Sequence, residues 1–277
     1  MGEFSLFSSK NALVQGEKMI LTADYHTHTP FSHGKNTILE NAESAKKMGL
    51  SEIAITDHGY THIVFGLRRR KIEKYRLECE EATKRTGVKV LVGIEANILG
   101  VDGYSDLKET DYKDFDIYFC GTHICVWYKP FVSQFFSFFT TNYLTEKLHL
   151  PHSEKLIERN TKAYCNAIKR NPIDALTHVN YLCKCNSLEV AKVASDYGTY
   201  IELNSKKTHF TDEELMDMAL KTSVRFLINS DAHTADRVGE IERVKKQLSR
   251  LDFPLDRIDN IDGRLPNFRF REFKKGL

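Results

Sequence analysis

The stretch Glu52-Ile53-Ala54-Ile55-Thr56-Asp57-His58-Gly59 decides how the rest of the chain reads. After Glu52 it runs apolar without polar alternation, the pattern of a strand covered on both faces, and it ends in a carboxylate and an imidazole. The same pattern recurs along the chain. Candidate strands fall at 19–25, 52–56, 89–94, 116–121, 175–177, 200–203 and 225–229, and helix candidates lie between them at 38–48, 67–86, 153–169, 187–196, 212–220 and 235–248. Thr211 ahead of Asp212-Glu213-Glu214 is a ready N-cap. Seven strands alternating with helices predict an α/β fold with a parallel sheet closed into a barrel.

The 277 residues suit one such barrel, a fold that typically takes about 250 residues. With 41% hydrophobic and 28% charged residues the chain is globular and not disordered. Mean hydropathy is −0.41, and no apolar run approaches the roughly 18 residues of a membrane span. Lys+Arg 40 against Asp+Glu 38 leave a balance of +2, which gives no field to recruit nucleic acid. The six cysteines form no C-x-x-C pair and read as reduced thiols of a cytoplasmic protein. Residues 1–18 carry Lys10 and Lys18 but no continuous apolar segment, so they read as an extension ahead of the domain, natural or introduced, and not as a signal peptide. The domain itself is expected over 19–277.

One connection breaks the alternation. Residues 126–152 hold Trp127, Tyr128, Phe131, Phe135, Phe136, Phe138, Phe139 and Tyr143, and the spacing 131, 135, 138, 139 suits one face of a helix. This insertion is expected to pack on the barrel. Its functional alternatives are a wall that shapes substrate choice and a surface through which the chain forms a homo-oligomer.

The eleven histidines are the most informative feature. His26 and His28 end the first strand in Asp24-Tyr25-His26-Thr27-His28-Thr29, and spacing two on an extended chain points both to one face. His33 follows in Ser32-His33-Gly34. His58 ends the second strand, Glu95 the third, His123 the fourth, His178 the fifth, and Asp231 with His233 the seventh. In a β/α barrel the carboxyl ends of the strands converge on one rim, where sites are built. Imidazole and carboxylate ligands suit zinc, iron or manganese, and nine of them exceed the about three or four that one catalytic zinc takes. A multinuclear centre follows, bridged by a carboxylate, for which Glu95 is the best candidate. Glu95, Asp231 and His233 are the candidate catalytic residues. His62, His149, His152 and His209 lack a strand-end placement, although His62 lies close enough to His58 to reach the rim.

The motifs His26-Thr27-His28, Ile55-Thr56-Asp57-His58, Gly93-Ile94-Glu95-Ala96-Asn97-Ile98-Leu99, Gly121-Thr122-His123, Thr177-His178 and Ser230-Asp231-Ala232-His233 resemble, in order, those of the polymerase and histidinol phosphatase (PHP) superfamily. Asn97-Ile98-Leu99 with Asp102-Gly103 and Asp106-Leu107 is similar to its YcdX-like phosphatase branch. The likeness runs from about residue 19 to 239. It implies a distorted seven-stranded (β/α)7 TIM-like barrel, the PHP fold, holding three divalent metal ions, zinc first, with iron or manganese also used. It further implies one ion on His26, His28, Glu95 and Asp231, a second on Glu95, His123 and His178, and a third on His33, His58 and His233. The aromatic insertion and Pro30-Phe31 ahead of His33 depart from the family pattern.

These expectations point to hydrolysis of a small phosphomonoester by metal-bound hydroxide. A bound ion lowers the pKa of water from about 16 to about 7. Arg237, Arg68 and His62 are the candidates to meet the substrate phosphate. The alternatives are a histidinol-phosphate phosphatase, a 3′–5′ exonuclease of the same superfamily, and a non-catalytic, metal-dependent regulatory module. A nuclease needs a basic groove for single strands, which the charge balance does not suggest.

Overall fold

The computed structural model describes residues 19–127 and 135–277. The expected leader at 1–18 lies outside the described residues, as do Tyr128 and Phe131 of the aromatic insertion and the side chains of 135–137. The apolar runs form seven parallel strands: β1 (Ala23–Thr27), β2 (Glu52–Ile55), β3 (Lys89–Asn97), β4 (Ile117–Gly121), β5 (Ala175–Leu176), β6 (Tyr200–Asn204) and β7 (Phe226–Asn229). They pair in chain order. Around them lie α1 (Ile38–Lys47), α2 (Ile72–Thr86), α3 (Thr141–Lys147), α4 (Glu154–Arg170), α5 (Ser187–Tyr197), α6 (Asp212–Lys221), α7 (Glu242–Leu248) and α8 (Arg269–Lys274). The fold is the expected seven-stranded barrel. No helix among the described residues is long and apolar enough to cross a membrane.

β1 and β7 meet at a seam closed by a short backbone bridge between Thr27 and Ala232 and by side chains. Tyr25 N donates to Asn229 Oδ1 at 3.0 Å and Ser230 N to Asp24 Oδ1 at 3.2 Å. Asn260, wholly buried, inserts from far along the chain. Its amide donates to Ala23 O at 2.9 Å and Ile228 O at 2.6 Å, while its Oδ1 accepts from Ile228 N at 2.9 Å. Asn260→Ala leaves these buried backbone groups unpaired, and each such group costs about 1–3 kcal/mol. The expected loss is about 3–5 kcal/mol, read as a lower urea midpoint at unchanged slope. An unshifted midpoint refutes the role.

Below the rim the barrel is filled. Tyr25, Phe119, Leu227 and Phe268 belong to one buried cluster, with Phe268 ring-edge to Tyr25 at 5.0 Å. The His26 ring sits edge-on to Phe119 at 6.3 Å, so the site rests on an apolar plug.

Two helix boundaries differ from the sequence expectation. The segment at 67–86 is helical only from Ile72, after a tight 3₁₀ turn at Arg69–Lys71. The segment at 235–248 breaks into a 3₁₀ turn at Ala235–Arg237 and α7. Gly239 between them adopts φ +77°, and its N–H donates to buried Asp24 Oδ2 at 2.9 Å, which pulls the backbone out of a helical path. Of the aromatic insertion, a wide helical turn at Phe135–Thr140 leads into α3, and Phe138 is buried in the main core with Phe139 packed against it.

Candidate metal centre

Strand periodicity delivers the first ligands. His26 and His28, two apart, face the same side, with their Nε2 atoms 3.1 Å apart. Glu95, wholly buried on β3, lies at the centre. Its Oε1 is 2.7 Å from His178 Nε2, 3.1 Å from His123 Nε2 and 3.3 Å from His26 Nε2. Its Oε2 faces His58 Nδ1 at 2.8 Å and His28 Nε2 at 3.7 Å. Asp231 Oδ1 is 3.4 Å from His28 Nε2 and 3.9 Å from His26 Nε2. The donor atoms of His28, His33, His58 and His233 lie within 4.8 Å of one another, as do those of His26, His28 and Glu95 and those of His58, Glu95 and His123. All nine strand-end residues singled out in the sequence are therefore brought to one rim.

Backbone strain helps to aim them. Asp231 has φ 51° and His178 φ 30°, conformations that cost non-glycine residues about 1–3 kcal/mol each. His178 is held there because its N–H donates to Glu202 Oε2 at 2.9 Å. Gly121, on the neighbouring strand, leaves room for that ring. A Cβ at Gly121 would collide with Thr177 Oγ1 and sit 2.9 Å from His178 Cε1.

The electrostatics fit divalent cations. Burial would raise Glu95 and Asp231, but the imidazoles around them hold both well below the usual carboxylate range. Burial lowers His28, takes His33 to about 4 and His58 to about 3, and lowers His233, with neighbouring imidazoles adding to the effect. Neutral imidazoles keep the lone pairs that metals need. Burial would push His26 down as well, yet Glu202, Glu95 and Asp231 hold it well above the imidazole range. Three buried carboxylates around one ring demand positive charge. His28 Nδ1 and His33 Nδ1 are buried without a hydrogen-bond partner among the described residues. The donor set suits ions that accept both nitrogen and oxygen ligands.

Several contributors escaped the sequence reading. Glu202, inside β6, accepts from His26 Nδ1 at 2.7 Å and so turns Nε2 toward Glu95. Asn97 Oδ1 does the same for His123 Nδ1 at 2.8 Å. A charged residue between Ile201 and Leu203 in an otherwise apolar buried strand was the available signal for Glu202. Above the ligands opens a cavity of about 500 Å³. Among the described residues its wall takes its cations from Lys206, Lys207 and Arg243, while Phe65, Ile124 and Tyr181 supply apolar surface. Lys206 Nζ lies 3.3 Å from Asp231 Oδ1 and 3.1 Å from His233 Nδ1. Of the residues expected at the phosphate, His62 lines this cavity and Arg68 and Arg237 do not. Arg237 pairs with Glu240 three residues on, and exposed Arg68 donates to Ile63 O at 3.4 Å.

Comparison with known proteins agrees with this geometry. The pattern of the PHP domain family matches residues 24–250. A probable phosphatase of Caldanaerobacter subterraneus subsp. tengcongensis is 30% identical over 257 residues, 88% of each chain. A probable phosphatase of Thermoanaerobacter sp. is 31% identical over 260 residues, 88% of this chain and 92% of its own. Among solved structures, the histidinol phosphate phosphatase of Lactococcus lactis subsp. lactis, complexed with zinc, L-histidinol and phosphate, superposes with a TM-score of 0.57. It does so over 90% of this chain and 97% of its own, at 14% identity.

Proposed function

This chain belongs to the PHP domain family, and from that premise we propose that it is a metal-dependent phosphatase of small phosphomonoesters. The observation that carries the reading is the position of Glu95, with separate imidazoles at each of its two oxygens. We assign one ion to His26, His28, Glu95 and Asp231, a second to Glu95, His123 and His178, and a third to His33, His58 and His233, with zinc first among the metals. Divalent ions held there would supply an acidified water and charge neutralisation for phosphoryl oxygens.

The chain's own residues do the rest. Glu202 and Asn97 fix the rings of His26 and His123, so the ligands need no reorganisation when substrate arrives. Lys206, on a flexible stem beside Asp231 and His233, meets the phosphoryl oxygens. Phe65 and Ile124 present apolar surface at the cavity wall and favour an apolar leaving group.

The direct test is hydrolysis of p-nitrophenyl phosphate by metal-replete protein together with elemental analysis. Turnover with three ions per chain is expected. No turnover on any phosphomonoester by fully loaded protein defeats the activity, and at most one ion per chain defeats the ligand assignment. Lys206→Met is expected to raise KM about tenfold to a hundredfold with metal content unchanged, the loss of one charge-assisted contact. An unchanged KM removes Lys206 from the phosphate site.

A further inference from the structure

We infer that His62 is a fixed hydrogen-bond donor to a bound phosphoryl oxygen and not a metal ligand. The inference rests on the phosphatase reading above and adds a role for a residue that lies beside the ligand set. Its basis is a tautomer that the backbone imposes. Phe65 N–H donates to His62 Nδ1 at 3.1 Å. A ring nitrogen that accepts a hydrogen bond carries no hydrogen, so the neutral imidazole holds its proton at Nε2. A metal ligand must offer a free lone pair. The only lone pair of this ring is committed to Phe65, and the other nitrogen presents N–H. The same ring lines the cavity above the ligands.

The position of the donor is set as firmly as its tautomer. His62 is buried, and its ring stacks on that of His58 at 5.1 Å and 18°. Its backbone N–H donates to Gly59 O at 3.2 Å, and its backbone carbonyl accepts from Gly66 N at 2.9 Å. The loop after β2 is zipped to the loop after β4. Ile63 N donates to Cys125 O at 2.8 Å, Trp127 N donates to Thr61 O at 2.9 Å, and His62 itself bridges to Val126. Asp106 Oδ2 anchors the loop from below through Thr61 N and Thr61 Oγ1, both at 2.8 Å. Lys206 approaches the same cavity on a long, exposed stem. His62 reaches it on a ring with no freedom to turn, and a donor that needs no reorganisation is worth most in a transition state.

The test compares wild type, His62→Phe and His62→Gln as metal-replete full-length protein. Phenylalanine keeps a planar ring against His58 and lacks the N–H; glutamine restores an N–H on an acyclic chain. Three quantities are read: metal content, inorganic phosphate binding by calorimetry, and kcat and KM on p-nitrophenyl phosphate. The role predicts wild-type metal content in both variants. Loss of one preorganised donor lowers kcat of His62→Phe about a hundredfold and weakens phosphate binding. Glutamine is expected to recover roughly tenfold of that loss. Loss of an ion from either variant overturns the proposal by making His62 a ligand, and wild-type turnover in His62→Phe overturns it by making the ring a bystander. If metal-loaded wild type neither binds phosphate nor cleaves the aryl ester, the phosphatase reading fails first and this role falls with it.

Discussion

Glu95→Gln is expected to lower turnover on an aryl phosphate on the order of a thousandfold, the scale of losing charge stabilisation at a metal-assisted centre. The substitution preserves shape, so the loss comes from charge and from the donor that replaces one oxygen. The new amide presents N–H to imidazole nitrogens now 2.7–3.1 Å away, where a cation is meant to lie. Under the proposed ligand set, the two ions assigned to this carboxylate are expected to leave. His33→Ala is the internal control. It removes one nitrogen from the outer cluster, where His28, His58 and His233 remain. It is expected to cost one ion and about tenfold to a hundredfold in turnover, less than the loss of the shared carboxylate. Elemental analysis and kcat on the two variants decide the matter, and equal ion content with equal turnover would falsify the bridging assignment.

Stripping the metals with a tight chelator is expected to take turnover to background and to lower thermal stability. Glu95, Asp231 and Glu202 are buried within one site, and bound cations offset their mutual repulsion. One ion present at a hundredfold above its dissociation constant stabilises the folded state by about 2.7 kcal/mol. For a chain of this size that corresponds to a Tm lower by about 5 °C after removal of a single ion, and by more for three. Calorimetric scans before and after chelation, then after return of zinc, manganese or iron, measure the effect and rank the metals. Identical Tm and identical turnover with and without chelator would show that the donors serve structure alone.

The strand ends were legible because two periodicities agree there. An apolar run without alternation marks a strand, and a polar ligand at its carboxyl end marks the rim, as in Ile55-Thr56-Asp57-His58. Residues inside a strand were harder to assign. Glu202 sits between Ile201 and Leu203 with no ligand motif beside it, and its role appears only when β1 brings His26 within 2.7 Å. The cations that line the cavity differ from the expected Arg68 and Arg237 for a related reason. Arg68 and Arg237 come after β2 and β7 as Lys206 comes after β6, and whether a residue past a strand meets the cavity depends on the path of the chain there. The broken helix at 235–248 shows the same limit. Nothing local announces that Asp24, 215 residues away, will bind the Gly239 N–H.

The seam between β1 and β7 has a consequence for how the protein is made. A ribosome that has delivered His233 has delivered every candidate ligand, yet Asn260, which reaches back 237 residues to Ala23, is still to come. His26 and His28 stand on one lip of that seam, and Asp231 and His233 on the other. A chain that ends before Asn260 carries all nine donors and the bonds from Asn229, Ser230 and Ala232 to β1, and lacks the three that Asn260 makes to Ala23 and Ile228. The barrel thus takes its last seam contact from a residue synthesised after every one of its rim donors.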